Sequence, residues 1–172
     1  ITGASSGIGA ALAENIYHRG GRVILSARSA DKLISLSADW EEKDRIMILP
    51  LDISCHDELP LAAQEAQARW GRIDVLVNNA GVMAIPRRET ADGFEMQLGT
   101  NHLGHFALTG LLMPALLAAD RPRVVTISSV AHRSARVDLD DLQSTRDYDK
   151  RRAYGQSKLA NLLFAFELAR RA

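Results

Sequence analysis

Short apolar segments alternate with longer segments of helical pattern along this chain. Four of the short segments are nearly continuous in apolar and β-branched residues, which is typical of strands buried on both faces of a parallel sheet. We therefore predict strands at residues 23–25, 46–51, 75–77 and 124–127.

The longer segments predict five helices, at residues 8–19, 31–40, 58–70, 94–119 and 152–171. Gly104 and Pro114 fall inside the fourth of them, so we expect that helix to bend or break. Alternation of strands and helices is typical of βαβ units with right-handed crossovers. The pattern predicts an α/β fold with a Rossmann-like, doubly wound parallel sheet between two layers of helices.

Both ends of the chain fall inside predicted elements. Ile1-Thr2-Gly3 is typical of the last step of a strand that enters a glycine loop, and the last helix is still in progress at the C-terminal residue. We expect residues 1–172 to form one domain that is truncated at both ends and lacks most of its first strand. A polar, acidic segment at residues 132–150 predicts a long loop, and loops of that length are often functional.

Composition narrows the classes of protein that this chain can represent. It has 172 residues, with 21 basic and 21 acidic side chains and 47% hydrophobic residues, which is ordinary for one globular domain. The balanced charge argues against a nucleic-acid-binding protein, and no apolar run is long enough to span a bilayer. Cys55 is the only cysteine, which excludes an intramolecular disulfide and a cysteine-based zinc site. We expect a reducing, cytoplasmic location, although an anchor upstream of residue 1 would not be visible.

A glycine loop lies between the first predicted strand and the first predicted helix. Glycine permits a tight turn and lets the backbone approach a pyrophosphate, and the helix that follows offers N–H groups and positive dipole to the phosphates. The alternative for this loop alone is a plain strand-to-helix turn. As a dinucleotide site, its cofactor-binding residues are Gly3, Ser5, Ser6, Gly7, Ile8 and Gly9.

The end of the strand at residues 23–25 favours one cofactor over another. In dinucleotide folds, an acidic residue about 20 positions beyond the glycine loop binds the ribose 2′-hydroxyl of NAD. No acidic residue occurs between Val23 and Ala30, and Arg28 stands at the strand end instead. Because an arginine can bind a 2′-phosphate with two hydrogen bonds, we predict NADP(H) rather than NAD(H).

Further motifs follow successive strands in a fixed order. Each one alone has an ordinary interpretation as a turn, a cap or a helix surface. They are Asp52-Ile53, Asn78-Asn79-Ala80-Gly81, Asn101, Ser128-Ser129 and Tyr154-Gly155-Gln156-Ser157-Lys158. Together with the glycine loop they resemble the short-chain dehydrogenase/reductase family over essentially the whole chain. The segments at residues 101–106, 129–132 and 157–161, and the long gap between Ser129 and Tyr154, are similar to the retinol dehydrogenase and WW-domain oxidoreductase branch.

This resemblance implies an oxidoreductase that interconverts an alcohol and a carbonyl by hydride transfer. Tyr154 would act as general acid/base. A free tyrosine is a poor base at neutral pH, and the ammonium group of Lys158, four residues away on the same helical face, would favour the phenolate. Ser129 would bind the substrate oxygen, and Asn101 would hold a water in a proton relay to Lys158.

The resemblance also implies further cofactor contacts and partners. Besides the glycine loop and Arg28, the residues concerned are Asp52, Ile53, Asn79, Ala80, Gly81, Tyr154 and Lys158. The partners would be a small carbonyl or alcohol substrate and, through the apolar stripe at residues 111–117, a second copy in a homodimer or homotetramer. His102 and His105 are three residues apart but lack a third ligand, so we predict no metal site.

Two alternative functions remain open on the sequence. One is an epimerase or dehydratase of the extended branch, whose members usually have a Gly-x2-Gly-x2-Gly loop, unlike the Gly3-x3-Gly7-x-Gly9 spacing here. The other is a regulatory protein that binds NADP without turnover. Such relatives often lose the tyrosine or the lysine of the site, whereas Tyr154 and Lys158 are both present.

Overall fold

The computed structural model describes residues 1–171 and has the predicted α/β architecture. Four parallel strands form two pairs. In one pair, β1 (Val23–Ala27) lies beside β2 (Ile46–Pro50), and in the other, β3 (Val75–Asn78) lies beside β4 (Arg123–Thr126). All four agree with the strands predicted from apolar runs to within one or two residues.

Thr2 joins the two pairs of strands into one sheet. It forms a parallel bridge with Ser26 of β1, and its backbone N–H donates to the carbonyl of Val77 of β3 at 3.0 Å. The resulting order of the parallel strands is β2–β1–Thr2–β3–β4. The chain adds β1 and β2 on one side of Thr2 and then β3 and β4 on the other side, so Thr2 lies at the switch point of the sheet. In open α/β sheets, ligands bind at the carboxyl ends of the strands at such a switch point.

A groove of about 820 Å³ continues below Thr2, between the amino ends of β1 and β3. Aliphatic side chains and strand edges, among them those of Ile1, Ile24 and Val75, line much of it. It lies at the end of the sheet opposite the glycine loop and contains none of the predicted catalytic residues.

Two hydrophobic clusters cover the two faces of the sheet. In β1, Val23 and Leu25 belong to one cluster, whereas Ile24 packs against the other. Successive side chains of a strand point to opposite faces, so the clusters lie on opposite sides. The first contains residues of α1 (Gly7–His18) and α2 (Ala30–Leu36), and the second contains residues of α3 (Leu59–Trp70) and α5 (Gly104–Leu117).

The helix predicted at residues 31–40 is wrong in its C-terminal part, because α2 ends at Leu36. The Ser37 hydroxyl donates to the Leu33 carbonyl at 3.0 Å, and the Lys43 ammonium donates to the Ser37 and Ala38 carbonyls at 2.8 and 2.9 Å. The Ser37 hydroxyl therefore bonds to a carbonyl of the last helical turn, and Lys43 holds the two residues that follow the helix. Trp40 therefore lies beyond the helix, where its ring stacks on Tyr17 at 4.4 Å between centroids.

The long helix predicted at residues 94–119 is divided into three parts. A short α4 (Met96–Leu98) continues into a π-helical turn (Gly99–Leu103), and α5 begins at Gly104. Pro114 lies inside α5, so the division comes before Gly104 rather than at the proline. A Cβ atom at Gly104 would lie 2.0 Å from the Ile53 carbonyl oxygen, so only glycine lets α5 approach the end of β2 this closely.

The remaining elements frame the carboxyl end of the sheet. After β4, a short 3-10 turn (Val130–Ser134) leads into a mostly irregular segment, as predicted for residues 132–150. The last helix, α6 (Lys150–Arg171), begins two residues before the predicted start and packs against that turn, the π-helical turn and β4.

We predict that Gly104→Ala destabilises the protein. The added methyl group would collide with a backbone carbonyl that cannot rotate away, and overpacking of this kind costs about 1–3 kcal/mol. Gly110→Ala is the matched control, because Gly110 lies in the same helix with open space around its Cα, and alanine there should stabilise the helix by up to about 1 kcal/mol. Urea unfolding of the full-length protein measures both; equal stability of the two variants would contradict this packing.

Candidate active site

A cleft of about 380 Å³ lies at the carboxyl ends of the strands. The glycine loop, the ends of β1 and β2 and the turn after β3 form most of its walls, and Met96 and Thr100 complete it. The cleft-lining residues that were predicted to bind cofactor are Gly3, Ser5, Ser6, Ile8, Arg28, Asp52, Ile53, Asn79, Ala80 and Gly81. Gly7, Gly9, Tyr154 and Lys158 do not line it.

Close packing explains two glycines of the loop. Gly3 has φ +65°, a left-handed conformation that favours glycine, and a Cβ atom there would lie 2.8 Å from Ala80 Cα. At Gly9 a Cβ atom would lie 2.4 Å from the Gly3 carbonyl oxygen. Gly3 therefore brings the loop against the turn after β3, and Gly9 brings the start of α1 against the loop. Ser6 and Ile8, at the start of α1, line the cleft. No acidic residue occupies the first turn of α1.

The turn after β3 is bonded to the glycine loop. The Thr2 hydroxyl oxygen accepts the backbone N–H groups of Asn79 and Ala80 at 2.9 and 3.0 Å. In return, the Asn79 side-chain amide donates to the carbonyls of Thr2 and Gly3 at 2.9 and 3.3 Å. The side chain of Asn79, predicted to contact cofactor, therefore also holds the loop in place.

Two cations stand at the end of the cleft beside β1. Arg28 and Lys32 are both exposed and both line the cleft, together with Ser29. Asp31, the acidic residue of the same helical turn, does not line it. Lys32 was not predicted from the sequence, because Arg28 precedes the helix and helical spacing does not relate the two side chains.

Asp52 organises the end of β2. Its Oδ1 atom accepts the backbone N–H of Ser54 at 2.9 Å and the Ser54 hydroxyl at 2.7 Å. These bonds close a turn that returns the chain towards α3. They hold Ile53, which is 5% exposed, against α5 at the floor of the cleft.

Asn101 lies in the π-helical turn and connects three segments. It is fully buried, and its Oδ1 accepts the Val82 N–H at 2.8 Å while its Nδ2 donates to the Val82 carbonyl and to the Ser157 hydroxyl, each at 2.9 Å. The segment after β3 and helix α6 are thereby joined. A Cβ atom at Gly81 would lie 3.0 Å from Asn101 Oδ1 and 3.6 Å from Lys158 Nζ, so these three residues meet.

Lys158 and Tyr154 lie on one face of α6. The Lys158 Nζ is 5.8 Å from the centre of the Tyr154 ring and donates to the Ile127 carbonyl at the end of β4 at 3.1 Å. Lys158 is 5% exposed, and this burial lowers the pKa of its ammonium group. The partly exposed Tyr154 ring therefore lies beside a buried cation.

Ser129 directly precedes the 3-10 turn that packs against α6. Its Oγ accepts the Ala131 N–H at 3.3 Å, so its own hydroxyl hydrogen is directed elsewhere. A Cβ atom at Gly155 would lie 3.1 Å from the Ala131 carbonyl, so the turn and α6 are in close contact. The preceding Ser128 hydroxyl donates to the Lys158 carbonyl at 2.7 Å, which fixes the end of β4 against the same helix.

The side chains that hold the long segment before α6 were not predicted from the sequence. Gln97, which is fully buried, donates to the Tyr148 hydroxyl and to the Lys150 carbonyl and accepts the Ala84 N–H. The Tyr148 hydroxyl donates to the Ile85 carbonyl at 2.9 Å. The segments after β3 and after β4 are thus joined beside Tyr154. No periodicity in the sequence predicts these contacts, because the partners are 13 to 63 residues apart.

His105 is another residue for which the sequence predicted no role at the site. It is 1% exposed, with Nδ1 3.0 Å from the Asn101 carbonyl and Nε2 2.9 Å from the Thr2 hydroxyl. Burial lowers its pKa to about 4, and the positive charge of Lys158 adds to this effect. His102 instead faces Asn161, so the two imidazoles do not converge. Among residues 1–171, no three His, Cys, Asp or Glu side chains are grouped to hold a metal.

The sequence profile of short chain dehydrogenases matches residues 1–140. The chain belongs to this family. It is 42% identical to human retinol dehydrogenase 13 and 42% identical to human retinol dehydrogenase 12, with 99% of the chain aligned in each case. The alignments cover 53% and 55% of those proteins, so the chain spans about half the length of the curated relatives it matches.

Solved structures agree with the family and the fold. A protein from Mycobacterium paratuberculosis superimposes with a TM-score of 0.87 at 42% identity, over 99% of this chain and 60% of that one. A metagenomic short-chain oxidoreductase in complex with NADP superimposes with a TM-score of 0.78 at 29% identity, over 99% of this chain and 73% of that one. Within the described part of this short-chain dehydrogenase, no helix is both long and apolar enough to cross a membrane.

Burial of His105 predicts a pH-dependent loss of stability. Its folded-state pKa of about 4 lies below the ordinary histidine value of 6.5, so between pH 6.5 and pH 4 the unfolded chain binds a proton that the folded protein does not bind. Stability should therefore fall as the pH drops from 6.5 to 4, by roughly 3 kcal/mol from this group.

Urea unfolding across this pH range measures the effect in His105→Gln, where this contribution is absent. Parallel pH curves for the variant and the unaltered protein would contradict the burial of a neutral imidazole. The same substitution at the exposed His18 controls for the loss of an imidazole in general.

Proposed function

We propose that this chain carries the cofactor-binding and catalytic part of an NADP-dependent oxidoreductase that interconverts an alcohol and a carbonyl. The observation that carries the proposal is the convergence on α6, at one end of the sheet, of the segments that carry Asn101 and Ser129. The Asn101 amide bonds to α6, the turn that begins at Ser129 packs on α6, and Tyr154 and Lys158 lie on α6 itself.

The residues around the cleft fit a dinucleotide. The start of α1, where Ser6 and Ile8 line the cleft, offers N–H groups and the positive end of a 12-residue helix to a pyrophosphate. Arg28 and Lys32 offer two cations to a 2′-phosphate, and no carboxylate of the turn after β1 lines the cleft to bind a 2′-hydroxyl. This arrangement supports NADP(H) over NAD(H).

When bound, the nicotinamide ring supplies or accepts the hydride. Tyr154 transfers a proton between its hydroxyl oxygen and the substrate oxygen, and the ammonium group of Lys158, 5.8 Å from the centre of the Tyr154 ring, stabilises negative charge that develops there during the transfer. Ser129 donates its hydroxyl hydrogen to the substrate oxygen and orients it. Lys158 uses one hydrogen for the Ile127 carbonyl, which leaves two for a ribose hydroxyl and a relay water.

The substrate class follows from this chemistry and from the relatives. The curated relatives are named as retinol dehydrogenases, which agrees with an alcohol or an aldehyde at the site. The comparisons offer no support for an epimerase, a dehydratase or a regulatory protein without turnover. The cytoplasmic location and the homodimer or homotetramer stay predictions.

Tyr154→Phe should abolish carbonyl reduction, with a loss of at least about a hundredfold in kcat, because the ring keeps its place but loses the proton that it transfers. Binding of NADPH should change little. NADPH oxidation in the presence of aldehydes and ketones, together with NADPH fluorescence titration, measures both quantities. Tyr17→Phe is the matched control, since that hydroxyl bonds to the backbone of Glu42 away from the cleft. Substantial turnover by Tyr154→Phe would show that another group transfers the proton.

Arg28→Asp should weaken NADPH binding by at least about tenfold, because charge-assisted hydrogen bonds to the 2′-phosphate are lost and replaced by repulsion. Binding of NADH, which has no 2′-phosphate, should change little. Arg121→Asp makes the same charge change at an exposed loop position and serves as the control in the same titrations. An equal loss of affinity for both nucleotides would exclude a 2′-phosphate role for Arg28.

A further inference from the structure

A chain of buried hydrogen bonds passes beneath the candidate site. It connects Asn101 to His105, His105 to Thr2, and Thr2 to the backbone of Asn79 and Ala80. Thr2, His105 and Asn101 are 3%, 1% and 0% exposed. The histidine and threonine are 103 residues apart in sequence, so this contact exists only in the folded protein.

One placement of hydrogens satisfies all the contacts in this chain of hydrogen bonds. The Asn101 carbonyl can only accept, so Nδ1 of His105 carries the imidazole proton. Burial keeps the ring neutral, so Nε2 accepts and the Thr2 hydroxyl donates to it. The Thr2 oxygen then accepts both N–H groups of the turn after β3. The Val77 carbonyl lies farther from the Thr2 hydroxyl, at 3.3 Å against 2.9 Å for Nε2.

The π-helical turn leaves the backbone carbonyl of Asn101 within reach of the His105 side chain. Backbone bonds in such a turn run from residue i to residue i+5 and widen the helix, and π-helical turns occur frequently at functional sites. The imidazole of His105, four residues after Asn101, reaches the carbonyl in this widened turn. The backbone carbonyl of Asn101 bonds to His105, and its side chain bonds to Val82 and Ser157.

We propose that His105 is a positioning residue that fixes the proton-relay end and the cofactor end of the site in one geometry. Its Nδ1 holds the backbone of Asn101. Its Nε2 holds Thr2, which sets the turn after β3 against the glycine loop. His105 touches neither substrate nor cofactor. The inference rests on the proposed function, because it assigns the two ends to proton transfer and to NADP binding.

Two substitutions separate the two contacts. His105→Asn places an amide N–H near the position of Nδ1 and keeps the bond to Asn101, but it loses Thr2. His105→Gln places an amide oxygen near the position of Nε2 and keeps the bond to Thr2, but it loses Asn101. A residue that only fills space would respond to both substitutions in the same way.

On the full-length protein we expect opposite effects of these variants. His105→Asn should raise the Kd for NADPH about tenfold and lower kcat for aldehyde reduction by less than that, whereas His105→Gln should lower kcat about tenfold and raise Kd by less. Thr2→Val also removes the bond to His105 and should raise the Kd for NADPH as His105→Asn does. Thr2→Ser keeps the hydroxyl group and should bind NADPH more tightly than Thr2→Val. Ser37→Ala removes a distant buried hydroxyl and controls for loss of stability. Proportional changes of Kd and kcat in both His105 variants would overturn the proposal.

A measurement without turnover tests the proposal separately. Nitrogen-15 NMR of the unaltered protein should show the His105 proton on Nδ1 at pH 7, and a proton on Nε2 would overturn the proposal, because Asn101 would then lose its donor. Absence of carbonyl reduction by the unaltered protein would refute the proposed function. In that case the NMR result and the NADPH titrations of the two His105 variants still decide the role of His105.

Discussion

The contacts of Thr2 are the interaction on which the rest of this structure depends. Its backbone bridges β1 and β3, so the two halves of the sheet meet at one residue. Its hydroxyl group bonds to the turn after β3 and to His105. The switch point of the sheet, the glycine loop and the turn after β3 are therefore held together by the same residue.

Burial without loss of hydrogen bonding is the second constraint at this end of the sheet. Asn101, Lys158 and His105 are all nearly inaccessible, and each has a defined partner in the protein. In a low-dielectric interior such bonds are stronger than in water, and an unpaired polar group would be costly. The same burial that lowers the pKa of Lys158 places its ammonium group where little water screens it from Tyr154. The packing of α6 against the rest of the protein therefore also sets the charge that lies beside Tyr154.

The strands and most helices were predictable because their information is local. Continuous apolar runs placed all four strands to within one or two residues, and the motif order indicated the family that the profile confirmed. The end of α2 was not predictable, because the contact by which Lys43 holds the chain that leaves the helix has no signal in the hydrophobic pattern. The π-helical turn and the roles of Thr2 and His105 depend on partners far away in sequence, and hydrophobic periodicity carries no information about such pairs. The place of Lys32 beside Arg28 likewise depends on how the chain turns from β1 into α2.

The most direct test of the central claim is isotopic transfer from NADPH. The full-length protein would be incubated with NADPH deuterated at one or the other face of nicotinamide carbon 4, together with a panel of aldehydes and ketones, and the products analysed by mass spectrometry. Hydride transfer at a single ordered site predicts one deuterium in the product alcohol for each NADPH oxidised, and from one face only. Tight NADPH binding without transfer of deuterium to any carbonyl, or transfer from both faces, would contradict it.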